Sequence, residues 1–172
     1  RGFYPGPGHP ISDMIRIVSG PIDSGKTTRM QRRYAACRPN TAAGFISPKI
    51  YIGDRFQGYQ ICSLADGRTA PLALLQEEYT GQFVPAFQFD RFIFAQAGFE
   101  LGDSIIEDLM AAGFRGEIFI DEIGPLELSG RGFAATLTRV LRTGNDLTIC
   151  VRESCLEEVL AKFDIKEYLV LG

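Results

Sequence analysis

The chain has 172 residues, 45% hydrophobic and 23% charged, and its 18 Lys and Arg against 21 Asp and Glu leave a formal net charge of −3. That length suits one domain with a sizeable core. The mild acidity argues against a general nucleic-acid coat, which needs a basic surface, although a local Arg patch leaves room for a narrower contact. No apolar run is long enough to span a bilayer and no secretory signal core is present.

The four cysteines are Cys37, Cys62, Cys150 and Cys155, and the single His is His9. None of the cysteines forms a C-x-x-C pair, so a zinc site is not expected. Scattered thiols of this kind read as reduced core filler in a cytoplasmic protein.

Residues Arg1–Ser12 are dense in Pro and Gly and read as a flexible leader, with one domain expected over residues 13–172. "MIRIVSG" predicts a short strand ending at Gly20. Helical spacing follows. Met30, Tyr34 and Cys37 share one face, Arg29, Arg32 and Arg33 fall on the others as a solvated surface, and Pro39 closes the helix. "AAGFIS" is the next strand. "RFQGYQICSL" and "TAPLALL" flank Asp66-Gly67, which predicts a β-hairpin.

The Phe-rich segment from Glu77 to Gly98 has no clear period, and its "RFIFAQ" fits either a strand or the edge of a helix. A helix is expected over Asp103–Ala112, capped by Ser104 and Glu107 and stopped at Gly113. "EIFIDEIGP" is a buried strand broken by Gly124-Pro125. Phe133, Leu137 and Val140 mark a helix, "LTICVRE" a strand, Ser154-x-x-Glu157 the cap of another helix, and "EYLVL" a last strand. The alternation predicts an α/β architecture with a mostly parallel central sheet.

The chemistry is concentrated in three places. Gly20-Pro21-Ile22-Asp23-Ser24-Gly25-Lys26-Thr27 satisfies G-x-x-x-x-G-K-[ST], and Thr28 follows it. Such a loop turns successive backbone N–H groups onto the phosphates of a nucleoside triphosphate. Lys26 reaches the β- and γ-phosphates, and Thr27 offers its hydroxyl to Mg²⁺. Lys26 is expected to be exposed. Asp23 is anomalous, because a carboxylate repels phosphate. It tolerates a left-handed backbone, so it is expected to face outward and to bond loop amides or orient Ser24.

The second place is the end of "EIFIDE". Asp121 is expected at the same sheet edge as the loop, completing the metal site, with Glu122 free to polarise an attacking water. The third is Arg152, at the end of the following strand, where a fixed cation would meet the γ-phosphate.

"GPIDSGKTT", "GYQICSLADGRTAPLA" and "IDEIGPLEL" together resemble the small bacterial and archaeal nucleoside-triphosphatases related to the human cancer-related NTPase. The likeness spans most of Met14–Leu171. It implies a RecA-like P-loop core with helices on both faces of the sheet and an inserted hairpin. It also implies Mg²⁺-dependent hydrolysis of NTP to NDP and phosphate, with Lys26, Thr27, Asp121 and Glu122 in the roles given above. Asp23 departs from the Gly usual in that family.

Two other readings stay open. A P-loop kinase would pass the γ-phosphate to a nucleic-acid or small-molecule hydroxyl. A nucleotide-gated binding module would turn over little and present the aromatic stretch Phe83–Phe99 to a partner, unless those rings are core. No protein partner is indicated by the sequence.

Overall fold

The computed structural model describes residues 13–171. The leader expected over Arg1–Ser12 lies outside the described residues. Strands β1 (Ile15–Gly20), β2 (Ala42–Ile46), β3 (Lys49–Ile52), β4 (Arg55–Ser63), β5 (Thr69–Leu75), β6 (Pro85–Phe89), β7 (Phe92–Ala95), β8 (Glu117–Ile123), β9 (Leu147–Arg152) and β10 (Leu169–Leu171) join in one sheet. The helices are α1 (Lys26–Ala36), α2 (Gln96–Ala111), α3 (Pro125–Leu128), α4 (Ala134–Val140) and α5 (Leu156–Lys162).

The spatial order is β10-β1-β9-β8-β2-β4-β5-β7-β6, with β3 paired to β4 outside that path. The α/β expectation holds, and the sheet divides into two halves. Every pairing from β10 to β2 is parallel. Every pairing from β2 outward through β4, β5, β7 and β6 is antiparallel, as is that of β3 with β4. The hairpin around Asp66-Gly67 is present as β4 and β5. It is the centre of a larger antiparallel block rather than a lone insertion.

Parallel strands are covered on both faces, and their side chains sort by alternation. Ile17, Ile118, Ile120, Ile149 and Val151 face a core shared with Ile105 and Ile106 of α2, Leu137 and Val140 of α4 and Val159 of α5. Val18, Phe119 and Cys150 face the other way and pack with Met30 of α1. Within the parallel half, β2 passes so close to β8 that a Cβ on Gly44 (φ +124°) would sit 2.1 Å from the Phe119 carbonyl oxygen.

Helix α2 corrects the expected start at Asp103, since it begins at Gln96. The Ser104 hydroxyl donates to the Leu101 carbonyl within the helix, 2.9 Å away, so it caps nothing. The buried stripe of α2 is Gly98, Gly102, Ile105 and Ile106. Two of its members are glycines because the helix presses onto β5 and Phe133, where a Cβ would meet Pro71 O at 2.5 Å or the Phe133 ring at 2.4 Å. A stripe written in glycine does not read as helical period. The Ser154 cap is also absent, because a 3₁₀ turn over Glu153–Cys155 precedes α5 and no side chain caps it. "RFIFAQ" is both things it resembled, with β7 ending at Ala95 and α2 starting at Gln96. No described helix is long and apolar enough to cross a membrane.

Candidate active site

The loop between β1 and α1 has the backbone its motif requires. Gly25 (φ +77°) and Asp23 (φ +63°) are left-handed, and α1 begins at Lys26 with no side chain capping its first turn. Its leading N–H groups are therefore available to an anion, reinforced by the positive end of the helix. Lys26 is not exposed as expected. Only 9% of it is accessible, and its ammonium donates to the carbonyls of Pro21 (2.7 Å) and Gly20 (3.2 Å).

Arg29 and Arg33 are likewise not a free surface. Arg29 donates to the Ser19 carbonyl at 2.7 Å, holding the end of β1, and Arg33 donates twice to the Glu117 carboxylate at 2.7 and 3.0 Å. Arg32 is exposed, as expected.

Asp23 remains 64% exposed at its side chain and accepts from the Lys49 ammonium at the start of β3. That bond raises the Lys49 pKa. The partner is Lys49 rather than loop amides or Ser24, a pairing that sequence reading missed because the two residues lie far apart in the chain.

Asp121 ends the regular part of β8 and is fully buried. The Thr27 hydroxyl donates to its Oδ2 at 2.8 Å. The backbone N–H groups of Ser47 and Glu122 each donate to it at 2.9 Å. Ser47 follows β2, so two other segments besides its own strand converge on this carboxylate. Ser47 was absent from the sequence reading. The signal for it was its place just past an apolar strand, at the sheet edge that carries the loop. Its hydroxyl is buried and has no hydrogen-bond partner.

Glu122 has φ +63°, and the register of β8 against β9 shifts between Ile120 and Ile123. This bulge breaks the alternation that would send adjacent carboxylates to opposite faces of the sheet. Glu122, unlike the fully buried Asp121 beside it, is exposed, and it lines two adjoining cavities. Although its surface is open to solvent, the protein atoms crowded around its carboxylate, followed by the Asp121 charge, push its pKa up to about 7.

The first cavity, about 350 Å³, is bounded by residues 22–28 of the loop, Ser47, Lys49, Tyr59, Glu122 and Arg152. The second, about 390 Å³, shares Tyr59, Glu122 and Arg152 and is otherwise mostly apolar, with five Phe rings and the carboxylates of Asp90 and Glu127. Among the described residues the Arg152 side chain makes no salt bridge or hydrogen bond. The structure thus brings Lys26, Thr27, Asp121, Glu122 and Arg152 to one edge of the sheet.

Thr27 Oγ1, Asp121 Oδ2 and the unpaired Ser47 hydroxyl form an all-oxygen donor set, which fits a hard cation such as Mg²⁺. That ion commonly takes only one or two protein ligands and fills its shell with phosphate and water. The residues present fit the group.

This arrangement defines a P-loop nucleotide-binding α/β protein. The model of the family described as NTPase matches residues 16–171, and the chain belongs to that family. It is similar to the nucleoside-triphosphatase THEP1 of Methanothermobacter thermautotrophicus, with 26% identity over 90% of this chain and 85% of that protein. It is also similar to the nucleoside-triphosphatase THEP1 of Pyrococcus abyssi, with 28% identity over 82% of this chain and 75% of that one. In fold it resembles the crystal structure of THEP1 from the hyperthermophile Aquifex aeolicus, with a TM-score of 0.67 and 18% identity over 92% of this chain and 89% of that one. The solution structure of a human cancer-related nucleoside triphosphatase gives a TM-score of 0.63 and 16% identity over 92% and 87%.

Proposed function

We propose that this protein hydrolyses nucleoside triphosphates to the diphosphate and phosphate, as its membership of the NTPase family supports. The observation that carries this reading is the 2.8 Å bond from Thr27 to Asp121, which ties the phosphate loop to the acidic strand end.

Residues Gly20–Thr28 bind the triphosphate. Their backbone amides hold the β-phosphate, and Lys26 exchanges its loop carbonyls for phosphate oxygens. Thr27 and Asp121 are the residues that would hold Mg²⁺, which when bound supplies positive charge to the β- and γ-oxygens. Glu122 orients the attacking water and takes its proton. Arg152 stabilises the charge that builds on the transferring phosphoryl group. Asp23 shapes the loop and holds Lys49 at the rim. The free cysteines support a reducing, cytoplasmic setting.

The test is phosphate release from ATP, GTP, CTP and UTP, with Mg²⁺ and with EDTA. Release with each triphosphate, abolished by EDTA and strongly reduced in Thr27→Ala and Asp121→Asn, is the expected result. A protein that releases no phosphate from any of them overturns the reading.

A further inference from the structure

The aromatic cavity adjoins the phosphate loop's own cavity, and hydrolysis leaves it unexplained. Water needs no 390 Å³ chamber, and that volume lies within the range of small-molecule sites. Its rings form a built wall rather than a collapsed core. Phe94 stacks with Phe99 at 5.8 Å between centroids, Phe99 meets Phe133 edge-on at 5.3 Å, and Phe92 leans on Tyr59 at 5.6 Å. Phe89, Phe92, Phe94 and Phe99 line the space and are each only half-buried. The Phe-rich stretch is thus neither interior nor open surface.

Its position relative to the phosphates is fixed by the strand order. The loop leaves β1, and Asp121 and Glu122 lie on β8, with β9 carrying Arg152 between them. Under the triphosphatase reading, which a second site of this kind requires, the γ-phosphate therefore points from the loop towards β8. The ribose and base leave from the opposite end of the triphosphate. The aromatic cavity opens beyond Glu122, on the side where the γ-phosphate would lie, so a base leaving the other end of the triphosphate would point away from it. Glu122 and Arg152 belong to both cavities, so a molecule in the second presents its polar end where attack on the γ-phosphorus occurs. Glu127 also lines this cavity, but its carboxylate is already engaged by the N–H groups of Gly124 (3.0 Å) and Phe133 (3.1 Å) and serves to hold the wall.

We infer that the aromatic cavity is the site of a second substrate, a small flat molecule carrying a hydroxyl, to which the γ-phosphoryl group is transferred. The rings take the flat body by stacking, and the hydroxyl lies between Glu122 and Arg152. In the step, the hydroxyl oxygen bonds to the γ-phosphorus and the bond from that phosphorus to the β,γ-bridging oxygen breaks. The electron pair stays on the nucleoside diphosphate, and the hydroxyl proton passes to the carboxylate at the shared wall. When the cavity holds water alone, the same step is hydrolysis.

The experiment supplies [γ-³²P]ATP and Mg²⁺ with adenosine, uridine, 3-hydroxymethylpyridine or 4-hydroxybenzyl alcohol, and counts labelled phosphate ester against inorganic phosphate. Ligand-observed NMR of the same compounds, with the phosphate site filled by a non-hydrolysable ATP analogue, reads binding at the second site. At least one compound should bind and yield ester. Leu72→Trp, which fills the cavity from β5, should lower the ester-to-phosphate ratio tenfold or more, and Leu72→Phe serves if the larger ring does not fold. Phosphate release with no ester and no NMR contact for any compound overturns the acceptor site and leaves the triphosphatase standing. An ester-to-phosphate ratio unmoved in the folded Leu72 variant also overturns it. A protein that yields neither phosphate nor ester from ATP fails at the triphosphatase reading itself.

Discussion

The parallel and antiparallel halves of the sheet do different work, and their sequences show it. β9, β8 and β2 are short, apolar strands that are largely buried, while β1 is buried at its centre and the outermost β10 leaves Leu169 and Val170 exposed. From β4 to β6 the strands carry aromatic residues that stay half-buried, packed on one side near α2 and open on the other to a cavity. Under the proposed function the first half would hold phosphate with backbone and a few fixed charges, and the second would surround the far side of the reacting group. Glu122 sits on the border and belongs to both.

The sharpest way to break this division is at that border. Glu122→Gln keeps the shape but loses the basic oxygen. Turnover should fall by roughly 10²–10⁴ while nucleotide affinity stays within threefold, as expected on removing a positioned general base. Single-turnover hydrolysis and calorimetric titration with a non-hydrolysable triphosphate measure the two quantities. Equal losses in both would show that Glu122 belongs to phosphate binding, and the two halves would not be functionally distinct.

A second test strikes β2, the strand at which the parallel half meets the antiparallel one. Gly44→Ala places a methyl group against the Phe119 backbone at a left-handed φ. It should destabilise the fold by about 3–4 kcal/mol, combining backbone strain with overpacking. Denaturant unfolding measures this. A loss below about 1 kcal/mol would mean that β2 separates easily from β8, and that the parallel half is less firmly packed at its border strand than the register indicates.

The halves also differ in how far the sequence reveals them. The G-x-x-x-x-G-K-T spacing and the apolar run into Asp121-Glu122 are local patterns whose chemistry depends on neighbours in the chain, so they are legible. The hairpin is legible because Asp66-Gly67 is a turn signal that acts over a few residues. What stayed hidden depends on distance. Ser47 acquires its role because β2 lies beside β8. Lys49 acquires its role because β3 folds back to the loop. Arg29 and Arg33 look like solvated charges until the Ser19 carbonyl and Glu117 are placed beside them. The early start of α2 was obscured by Gly98 and Gly102, where packing demanded the absence of a side chain. The one-turn α3 was hidden because its cap comes from Glu127, a residue that reads as a surface acid.

Glu127 gives the third test, on the wall of the aromatic half. Burial pushes its pKa up to about 7 against an ordinary 4.5, even though two backbone N–H groups bond to it and pull the other way. Its folded pKa lies above its unfolded one, so the native state holds the extra proton between those values. Its stabilising contribution is full below about pH 4.5 and is lost as pH rises through about 7. The full swing corresponds to roughly 3 kcal/mol at ~1.4 kcal/mol per pH unit. Glu127→Gln cannot titrate, and its amide faces an N–H donor, so it should be less stable than the parent at pH 5.5. The deficit should shrink or reverse by pH 8. Unfolding free energies of both proteins over that range provide the check, and parallel curves would show that Glu127 is ionised throughout.

The smallest expected effect concerns the residue that seemed least suited to its place. Asp23→Gly removes a carboxylate from the phosphate loop, and simple repulsion predicts much tighter triphosphate binding. The structure predicts otherwise. Asp23 is mostly exposed, and its charge is already met by Lys49, which also lines the phosphate cavity. An exposed pair of this kind is worth about 0–1 kcal/mol. Its loss is partly offset by the ease with which Gly adopts the left-handed backbone at φ +63°. Releasing Lys49 frees one cation at the rim, where solvent and salt screen it. Affinity should therefore rise by less than tenfold, or ~1.4 kcal/mol, and the gain should diminish as salt increases. The double variant Asp23→Gly with Lys49→Ala should return to near the parent value, because the gain passes through Lys49. A gain above tenfold that persists in the double variant would place the Asp23 carboxylate against the phosphates, and the loop would then be strained by charge as well as by backbone.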